Sequence, residues 1–382
     1  MNWQQQPSTE QSGVLRLPKG IIVGGRQVTT RLAYQDSRYR VRAEDGDDSA
    51  EQPIRVGEDF HHITILRSEV TESLLEPRPS VAWQTDDGAA RRPLILDGTL
   101  GGGGHSEALL EQGACVVGVD QDTDALGAAT ERLSQFGDRF LAMHGNFRNF
   151  GEVLSETDVR LDGVVLDLGV SSWQLDAPNR GFSFRHDAPL DLRMDRGTGT
   201  PASEFLNKAT AEEIAEVLWR FGDEKAARRI ARAIVELRAE APIETTLQLA
   251  GLVEKVSPAN PRKRKIHPAT KTFQALRIHT NDELGALEDA LEWIPQYLRP
   301  GGRVAVLAFH SLEDRLVKRW VRKLSQQWID RPEWPERRPN PDHVFHAVSR
   351  KAIVPSAEEV TANPRSRSTK LRIAERIATD GN

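Results

Sequence analysis

An apolar run meets a glycine cluster in the stretch LILDGTLGGGGHS, residues 94–106. Four consecutive glycines at 101–104 let the backbone approach a ligand closely, and a helix predicted over residues 106–112 would offer its N-terminal amides. A strand that leads through such a loop into a helix is typical of an open α/β sheet, in which ligands bind at the carboxyl ends of the strands. We therefore expect a ligand at this loop.

Strands and helices alternate on both sides of this stretch. Further strands are predicted at residues 115–119, 140–144, 161–166, 303–309, 351–354 and 371–374, the fourth after the turn Pro300-Gly301-Gly302. A helix is predicted over residues 125–136. This alternation predicts an α/β fold, a doubly wound, Rossmann-like parallel sheet covered by helices on both faces.

The strand pattern is interrupted once and is preceded by a long polar segment. We expect a mobile extension at residues 1–58 with a short hairpin around residues 21–28, and a sheet core in two parts, 59–178 and 285–382. Between these parts, residues 179–284 carry helical periodicity, as at 214–221 and 226–237, and predict an all-helical insertion. A segment rich in Pro, Arg and Trp at 326–347 predicts a surface loop.

Composition excludes several classes of protein. The 382 residues are 38% hydrophobic and 28% charged, as in globular proteins, and no apolar run reaches the length that spans a bilayer. The polar first ten residues lack the features of a secretory signal, which predicts a cytoplasmic protein. Cys115, the single cysteine, lies in an apolar strand and is expected to be buried. The net charge of −5 leaves room for a local basic face.

Two aspartates join the glycine loop at the predicted carboxyl edge. Asp120 ends the second strand, where its carboxylate can accept both ribose hydroxyls of an adenosine, and Asp167 ends the fourth. The pattern G-x-G-x-x-G fails because Ser106 and Glu107 stand where the third glycine is required, which disfavours a nicotinamide-dependent oxidoreductase. His105 has no Cys or His partner at zinc-ligand spacing, so we expect it to orient the loop and expect no metal.

At this point the sequence resembles the MraW/RsmH methyltransferases, which modify the exocyclic amine of a cytosine in the decoding centre (P-site) of 16S ribosomal RNA. The resemblance covers residues 62 to about 376. It rests on these blocks: DGT at 97–99, GGHS at 103–106, DLGVSS at 167–172, QLD at 174–176, RGFSF at 180–184, PLDLRMD at 189–195, HPAT at 267–270, FQALRI at 273–278, FHSLEDR at 309–315 and NPR at 363–365.

The resemblance implies a class I methyltransferase core that uses S-adenosylmethionine (SAM). The positions that match the family's SAM site are Gly103, Gly104, His105, Asp120, Phe147, Asp167 and Gln174. Relatives often have a proline where Thr64 stands and an aromatic residue where His279 stands. The segment before His62 has no counterpart in the common pattern.

The implied reaction needs a methyl acceptor site beside the donor. Methyl transfer from a sulfonium is an in-line displacement, so positioning carries most of the catalysis. Acceptors for the two amine hydrogens would favour the reactive geometry, and Asp167, helped by Ser171, Ser172 or a backbone carbonyl, is the candidate. An extruded base also needs flat or apolar neighbours, for which Phe182, Phe184 and Trp173 are candidates, although core packing is the favoured role for any one of them.

Basic residues away from the glycine loop predict RNA contacts. Those we expect to contact phosphates are Arg262, Lys263, Arg264, Lys265, Lys271, Arg315, Arg365 and Arg367, with further basic residues at Lys318, Arg319, Arg322, Lys323, Lys370 and Arg372. We expect the RNA, 16S rRNA within the small ribosomal subunit, to lie in a cleft between the insertion and the core. A ribosome-assembly factor that binds RNA with only incidental catalysis is the alternative, which an activity assay would distinguish.

Overall fold

The computed structural model describes residues 64–77, 91–171, 174–175, 177–257 and 267–377, and the backbone of five short strands before residue 43. Within the predicted hairpin, Ile22–Val23 pairs antiparallel with Arg26–Gln27. Three further strands, Val14–Arg16, Arg31–Gln35 and Arg38–Arg42, form an antiparallel sheet that the sequence pattern did not predict. The other residues of the expected extension lie outside the described part, so its mobility stays a prediction.

A seven-stranded sheet forms the centre of the molecule. Its strands are β1 (Leu94–Asp97), β2 (Cys115–Asp120), β3 (Phe140–His144), β4 (Leu161–Asp167), β5 (Leu298–Ala308), β6 (Phe345–Ala347) and β7 (Lys370–Arg376), in the order β6-β7-β5-β4-β1-β2-β3. Strands β1 to β5 are parallel, and β7 is antiparallel to both neighbours. The chain winds outward from β1 in both directions, so the topological switch point lies between β1 and β4. The predicted doubly wound α/β fold is confirmed.

Helices cover both faces of this sheet, because successive strand side chains point to opposite sides. Ile95, for example, packs with α1 (Arg67–Leu75), α2 (Gly104–Glu111) and α3 (Thr123–Leu133). Leu94 and Leu96 belong to the opposite layer, which contains α4 (Phe150–Ser155), α10 (Glu283–Tyr297) and α11 (Ser311–Ser325). Cys115 is buried in that layer, as expected.

Among the residues described between Ala202 and Tyr297, six α-helices follow β4 and precede β5. They are α5 (Ala202–Lys208), α6 (Ala211–Gly222), α7 (Ala227–Glu240), α8 (Thr246–Val256), α9 (Thr270–Asn281) and α10. Helices α5 to α9 share an apolar core of their own, with Leu206, Ile214, Ile230 and Phe273 among its buried side chains. Capping boxes start α6 at Thr210 and α8 at Thr245. Among the residues described, no helix is long and apolar enough to cross a bilayer.

The end of the sheet differs from the sequence prediction. The strand expected at residues 351–354 is wrong, because only Ile353 forms a bridge, to Leu371, and Pro355 follows at once. The edge strand is instead β6, inside the predicted surface loop at 326–347. Phe345 anchors it, fully buried with its ring 5.0 Å from that of Trp320. A single aromatic anchor among exposed Pro and Arg residues leaves little trace in the apolar periodicity.

Candidate active site

A cavity of about 530 Å³ opens at the carboxyl edge of the sheet, beside the switch point. Its walls come from the loop after β1, the ends of β2, β4 and β5, and helix α9 of the helical segment. Its volume lies within the range of small-molecule sites, about 300–1,000 Å³. The structure therefore brings the three predicted carboxyl-edge features to one cavity.

The glycine loop forms one wall and is fixed to Asp120. The Gly101 amide donates to Asp120 Oδ2 at 2.7 Å, and the Asp122 amide donates to Oδ1 at 2.8 Å. Gly103, with φ of +79°, caps the N-terminus of α2. A Cβ added to Gly104 would lie 1.9 Å from Thr64 Oγ1, so this position has no room for a side chain. Burial raises the pKa of Asp120 to about 6, although the Asp122 and Gly101 amides oppose this shift.

The floor of the cavity combines Asp97, His105 and Asp167. Asp97 accepts hydrogen bonds from Ser106 Oγ at 2.7 Å and the Thr99 amide at 3.2 Å, and burial raises its pKa against the opposing charge of His105. The Asp167 amide donates to Thr99 Oγ1 at 2.6 Å, which ties β4 to the glycine loop. Within the described part of the chain, Asp167 Oδ1 is buried without a hydrogen-bond partner. Its Oδ2 lies 3.6 Å from His105 Nε2.

Gln174 borders the cavity and holds the loop after β4. Its Nε2 donates to Asp122 Oδ2 at 2.8 Å, and its Oε1 accepts from the Ser171 amide at 3.0 Å. Asp122 is also paired with Arg180, Nη2 to Oδ2 at 2.8 Å, and all three side chains are buried. Ser171 lines the cavity. Ser172 and Trp173 lie outside the described residues.

Aromatic side chains line two other parts of the cavity. Phe147, just after β3, is held by its carbonyl, which accepts from Trp293 Nε1 at 3.2 Å. Phe184 is half-buried, and its ring lies 4.7 Å from that of His267 and 4.9 Å from that of Phe273. Phe182 is buried, 5.9 Å from the Arg180 guanidinium, which indicates a packing role for this residue.

A network of charged groups that sequence reasoning missed forms the far wall. Arg277 Nε and Nη2 donate to the two oxygens of Glu283 at 2.7 and 2.8 Å. Glu313 accepts from the Phe309 amide at 2.8 Å, and its Oε1 lies 3.0 Å from His310 Nε2. Burial alone would raise the pKa of Glu313, but His310, Arg277 and the Phe309 amide together bring it below its ordinary value.

Three groups of this wall also have the spacing of a cation site. One ligand atom each from Glu283, His310 and Glu313 lie within 4.8 Å of one another. Spacing along the chain did not predict this group, and the expectation of no metal stays a prediction. Arg277 already occupies both oxygens of Glu283, so the geometry is that of a charge-assisted hydrogen-bond network. Arg277, His310 and Glu313 belong to the quoted blocks at 273–278 and 309–315, and Glu283 lies outside them, but spacing along the chain does not bring these residues together.

The comparison with known proteins agrees with this geometry. Residues 59–377 match the profile of the MraW methylase family. The chain belongs to the MraW methylase family. SAM is therefore its methyl donor.

Relatives of similar length share much of the sequence. "Ribosomal RNA small subunit methyltransferase H" of Heliobacterium modesticaldum is 45% identical over 83% of this chain and 99% of its own length. The proteins of the same name from Trichlorobacter lovleyi and Anaeromyxobacter sp. (strain K) are 44% and 46% identical, over 84% of this chain and 99% of theirs.

Solved structures are more distant matches to this MraW-family chain. An rRNA methylase from Streptococcus thermophilus has a TM-score of 0.37 at 13% identity and covers 83% of this chain and 99% of its own. SMU.1697c, a putative methyltransferase from Streptococcus mutans in complex with SAH, also has a TM-score of 0.37, at 11% identity, and covers 83% of this chain and 100% of its own.

The cavity of this MraW-family member fits the methyl donor. A glycine-lined wall accepts close backbone approach, the Asp120 carboxylate faces the cavity from β2, and the polar atoms of His105 and Asp167 Oδ1 are buried without partners among the residues described. Unpartnered buried polar atoms are costly in a folded protein unless a ligand satisfies them. The polar groups that line this cavity therefore suit a nucleoside with a charged amino-acid end.

The predicted RNA-contact residues differ in exposure and in their contacts. Arg315, Arg365 and Arg367 are exposed, and Arg365 lines the cavity. Lys271 donates to the Asp223 carbonyl at 2.8 Å. Arg262, Lys263, Arg264 and Lys265 lie outside the described residues. Lys370 and Arg372 each pair with Asp314 at 2.8 Å, so an internal carboxylate already contacts these two charges, and their contact with RNA stays a prediction.

Proposed function

We propose that this chain transfers the methyl group of SAM to the exocyclic 4-amino group of a cytosine in the decoding centre (P-site) of 16S rRNA, in the cytoplasm. The names of its relatives support small-subunit rRNA as the substrate. The observation that carries the proposal is the Asp167 carboxylate, which lines the cavity at the end of β4 and whose Oδ1 has no hydrogen-bond partner among the residues described.

The residues proposed to hold SAM are Gly103, Gly104, His105, Asp120, Phe147, Asp167 and Gln174, all in or beside the cavity wall. Asp120 accepts the ribose hydroxyls, and its carboxylate is pre-oriented by two backbone amides. Gln174 acts indirectly, because its side chain is engaged by Asp122 and Ser171 and fixes the loop between them. The loop at 101–104 allows the amino-acid end of the donor to approach the start of α2.

Bound SAM supplies a methyl group on a positively charged sulfur, which needs no further activation. The acceptor amine is a poor nucleophile because its lone pair is delocalised into the ring. The Asp167 carboxylate accepts one amine hydrogen, with Ser171 or Ser172 available for the other, so that the lone pair turns toward the methyl group. Thr99 keeps Asp167 in register with the glycine loop through its hydrogen bond to the Asp167 amide.

The substrate approaches from the side of the helical segment. We propose that residues 179–284 form the RNA-recognition unit and that Phe184 stacks on the extruded cytosine, because its half-buried ring lines the cavity. Phosphates are contacted by Arg315, Arg365 and Arg367, and by Lys271 and the basic run at 262–265, which belong to the helical segment in sequence.

The test is a reconstituted reaction. Purified protein is incubated with methyl-labelled SAM and either naked 16S rRNA or small subunits lacking the modification, and the RNA is digested to nucleosides for mass spectrometry. We expect the label in N4-methylcytidine. Asp167→Ala serves as the inactive control and Lys208→Ala, on the exposed face of α5, as the matched surface control. Label in another nucleoside would overturn the assigned acceptor, and RNA binding without transfer would favour the assembly factor.

A further inference from the structure

His105 occupies an unusual position for a buried histidine. It lies in the first turn of α2, its side chain is 5% exposed, and it lines the cavity. In the described part of the chain, neither of its ring nitrogens has a hydrogen-bond partner. Buried imidazole nitrogens without partners are destabilising, so their retention points to a partner that is present only during the reaction.

Among the residues described, two carboxylates interact with the ring. Asp167 on β4 places Oδ2 3.6 Å from Nε2, and Asp97 on β1 interacts electrostatically with the same imidazole. Asp120 on β2 interacts electrostatically with Asp97. The charged groups of the helices beside α2 are paired, Arg67 with Glu111 and Arg132 with Glu107. Arg365 lines the same cavity.

We propose that His105 is a positioning residue for methyl transfer that acts through Asp167, by sharing the proton that the acceptor amine releases. This inference rests on the proposed amine acceptor and names a residue and a pH dependence beyond it. The gap of 3.6 Å is slightly longer than a hydrogen bond, and such contacts commonly tighten when the reacting complex forms.

Methyl transfer to an amine releases one proton, which an acceptor group must take up. The amine nitrogen forms a bond to the methyl carbon as the carbon–sulfur bond breaks, and the electron pair of that bond stays on sulfur, which becomes neutral. The nitrogen, now positively charged, loses one proton to the Asp167 carboxylate, whose Oδ2 lies 3.6 Å from His105 Nε2. The proton is shared across this pair and leaves to solvent after product release. Asp97 is buried and interacts electrostatically with the same imidazole.

A simpler role for His105 is to bind the amino-acid end of SAM, and the two roles predict different kinetics. A donor ligand acts in ground and transition states alike, so its loss weakens SAM binding but leaves the saturated rate unchanged. A proton-sharing residue affects the rate at saturation. Its effect also depends on pH, because an imidazole that is already protonated cannot receive the proton.

The experiment compares wild type, His105→Gln and His144→Gln in single turnovers at saturating SAM from pH 5.5 to 8.5, with SAM affinity measured by calorimetry. His144 is the matched control: it ends the neighbouring strand β3 and its Nε2 lies 3.1 Å from the Gln121 carbonyl, away from Asp167. We expect H105Q to slow methyl transfer about tenfold or more near neutral pH. The ratio of the wild-type rate to the H105Q rate should decrease as the pH falls. The H144Q ratio should stay constant. A constant ratio for H105Q, or lost affinity with a normal saturated rate, would overturn the proposal.

A second measurement does not depend on activity or on the folding of H105Q. In protein labelled with ¹⁵N-histidine, Asp167→Asn should change the ring nitrogen shifts of His105 and leave those of the other histidines in place. Unchanged His105 shifts would overturn the pairing. If the wild type transfers no methyl group to small-subunit RNA, the proposed function fails, whereas this measurement still tests the His105–Asp167 pair.

Discussion

Mild acidification is expected to weaken SAM binding through Asp120. Burial raises the pKa of this carboxyl from 3.8 to about 6, and two amides orient its oxygens toward the cavity. If only the ionised carboxylate accepts the ribose hydroxyls, the apparent Kd is multiplied by one plus the ratio of protonated to ionised Asp120. Near pH 7.5 this factor is close to one, and at pH 5 it is about 11, a loss of about 1.4 kcal/mol of binding free energy.

The sign of the stability effect keeps this prediction separate from unfolding. Because the pKa of Asp120 is higher in the folded protein than in the unfolded chain, the folded state binds more protons between pH 4 and 6. The contribution of Asp120 to the free energy of unfolding therefore increases as the pH falls through this window. Weaker binding at pH 5 would not arise from loss of the fold through this group.

Calorimetric titration of the protein with SAM at pH 5, 6, 6.75 and 7.5, at constant ionic strength, measures the effect. Asp120→Asn is the matched control, since it removes the titrating proton but keeps one acceptor oxygen for an amide. It should bind SAM more weakly than wild type at pH 7.5 and lose no further affinity through Asp120 on acidification. An equal pH dependence in wild type and D120N, or a flat wild-type profile, would refute the reasoning.

Three further results are expected. After chelation, calorimetry should show undiminished SAM binding and a methylation assay an undiminished rate, because Arg277 already neutralises Glu283. If chelation abolishes methylation and one divalent cation restores it, the Glu283–His310–Glu313 group holds a metal. Deleting residues 1–58 should leave the methylation rate within a few fold, since the family match begins at residue 59, and collapse in a folded truncation would place the extension in the active site. Asp167→Ala should reduce the single-turnover rate at saturating SAM far more than it reduces SAM affinity. Asp120→Ala should mainly weaken SAM binding, by about 1–3 kcal/mol. A normal saturated rate in Asp167→Ala, with a reduced saturated rate in Asp120→Ala, would contradict the assigned roles.

The residues at the carboxyl edge of the sheet could be predicted from sequence, because the carboxyl ends of neighbouring parallel strands lie at the same edge. Once β1, β2 and β4 are predicted to be parallel neighbours, the glycine loop, Asp120 and Asp167 must converge, and the structure places all three at one cavity. The predicted strand bounds agree because β2 and β4 are buried on both faces and appear as continuous apolar runs.

Features that depend on docking could not be predicted in the same way. The charged wall forms where α9 and α10 pack against the end of β5, and it consists of Arg277, Glu283, His310 and Glu313. Helical periodicity predicts which face of a helix is buried, but not which element that face contacts. The pairing of Lys370 and Arg372 with Asp314 depends on where α11 crosses β7. A basic run near the end of the chain looks the same whether it faces RNA or an internal carboxylate.

Methylation of a decoding-centre cytosine by this protein is tested by mapping modified nucleotides in 16S rRNA from cells with and without it, with wild type and Asp167→Ala each returned to the deficient cells. We expect one cytosine in the decoding centre to lose its N4-methyl group when the protein is absent. Wild type should restore the modification, and Asp167→Ala, although folded and able to bind SAM, should not. An unchanged cytosine N4 position in the deficient cells, or full restoration by Asp167→Ala, would contradict the account.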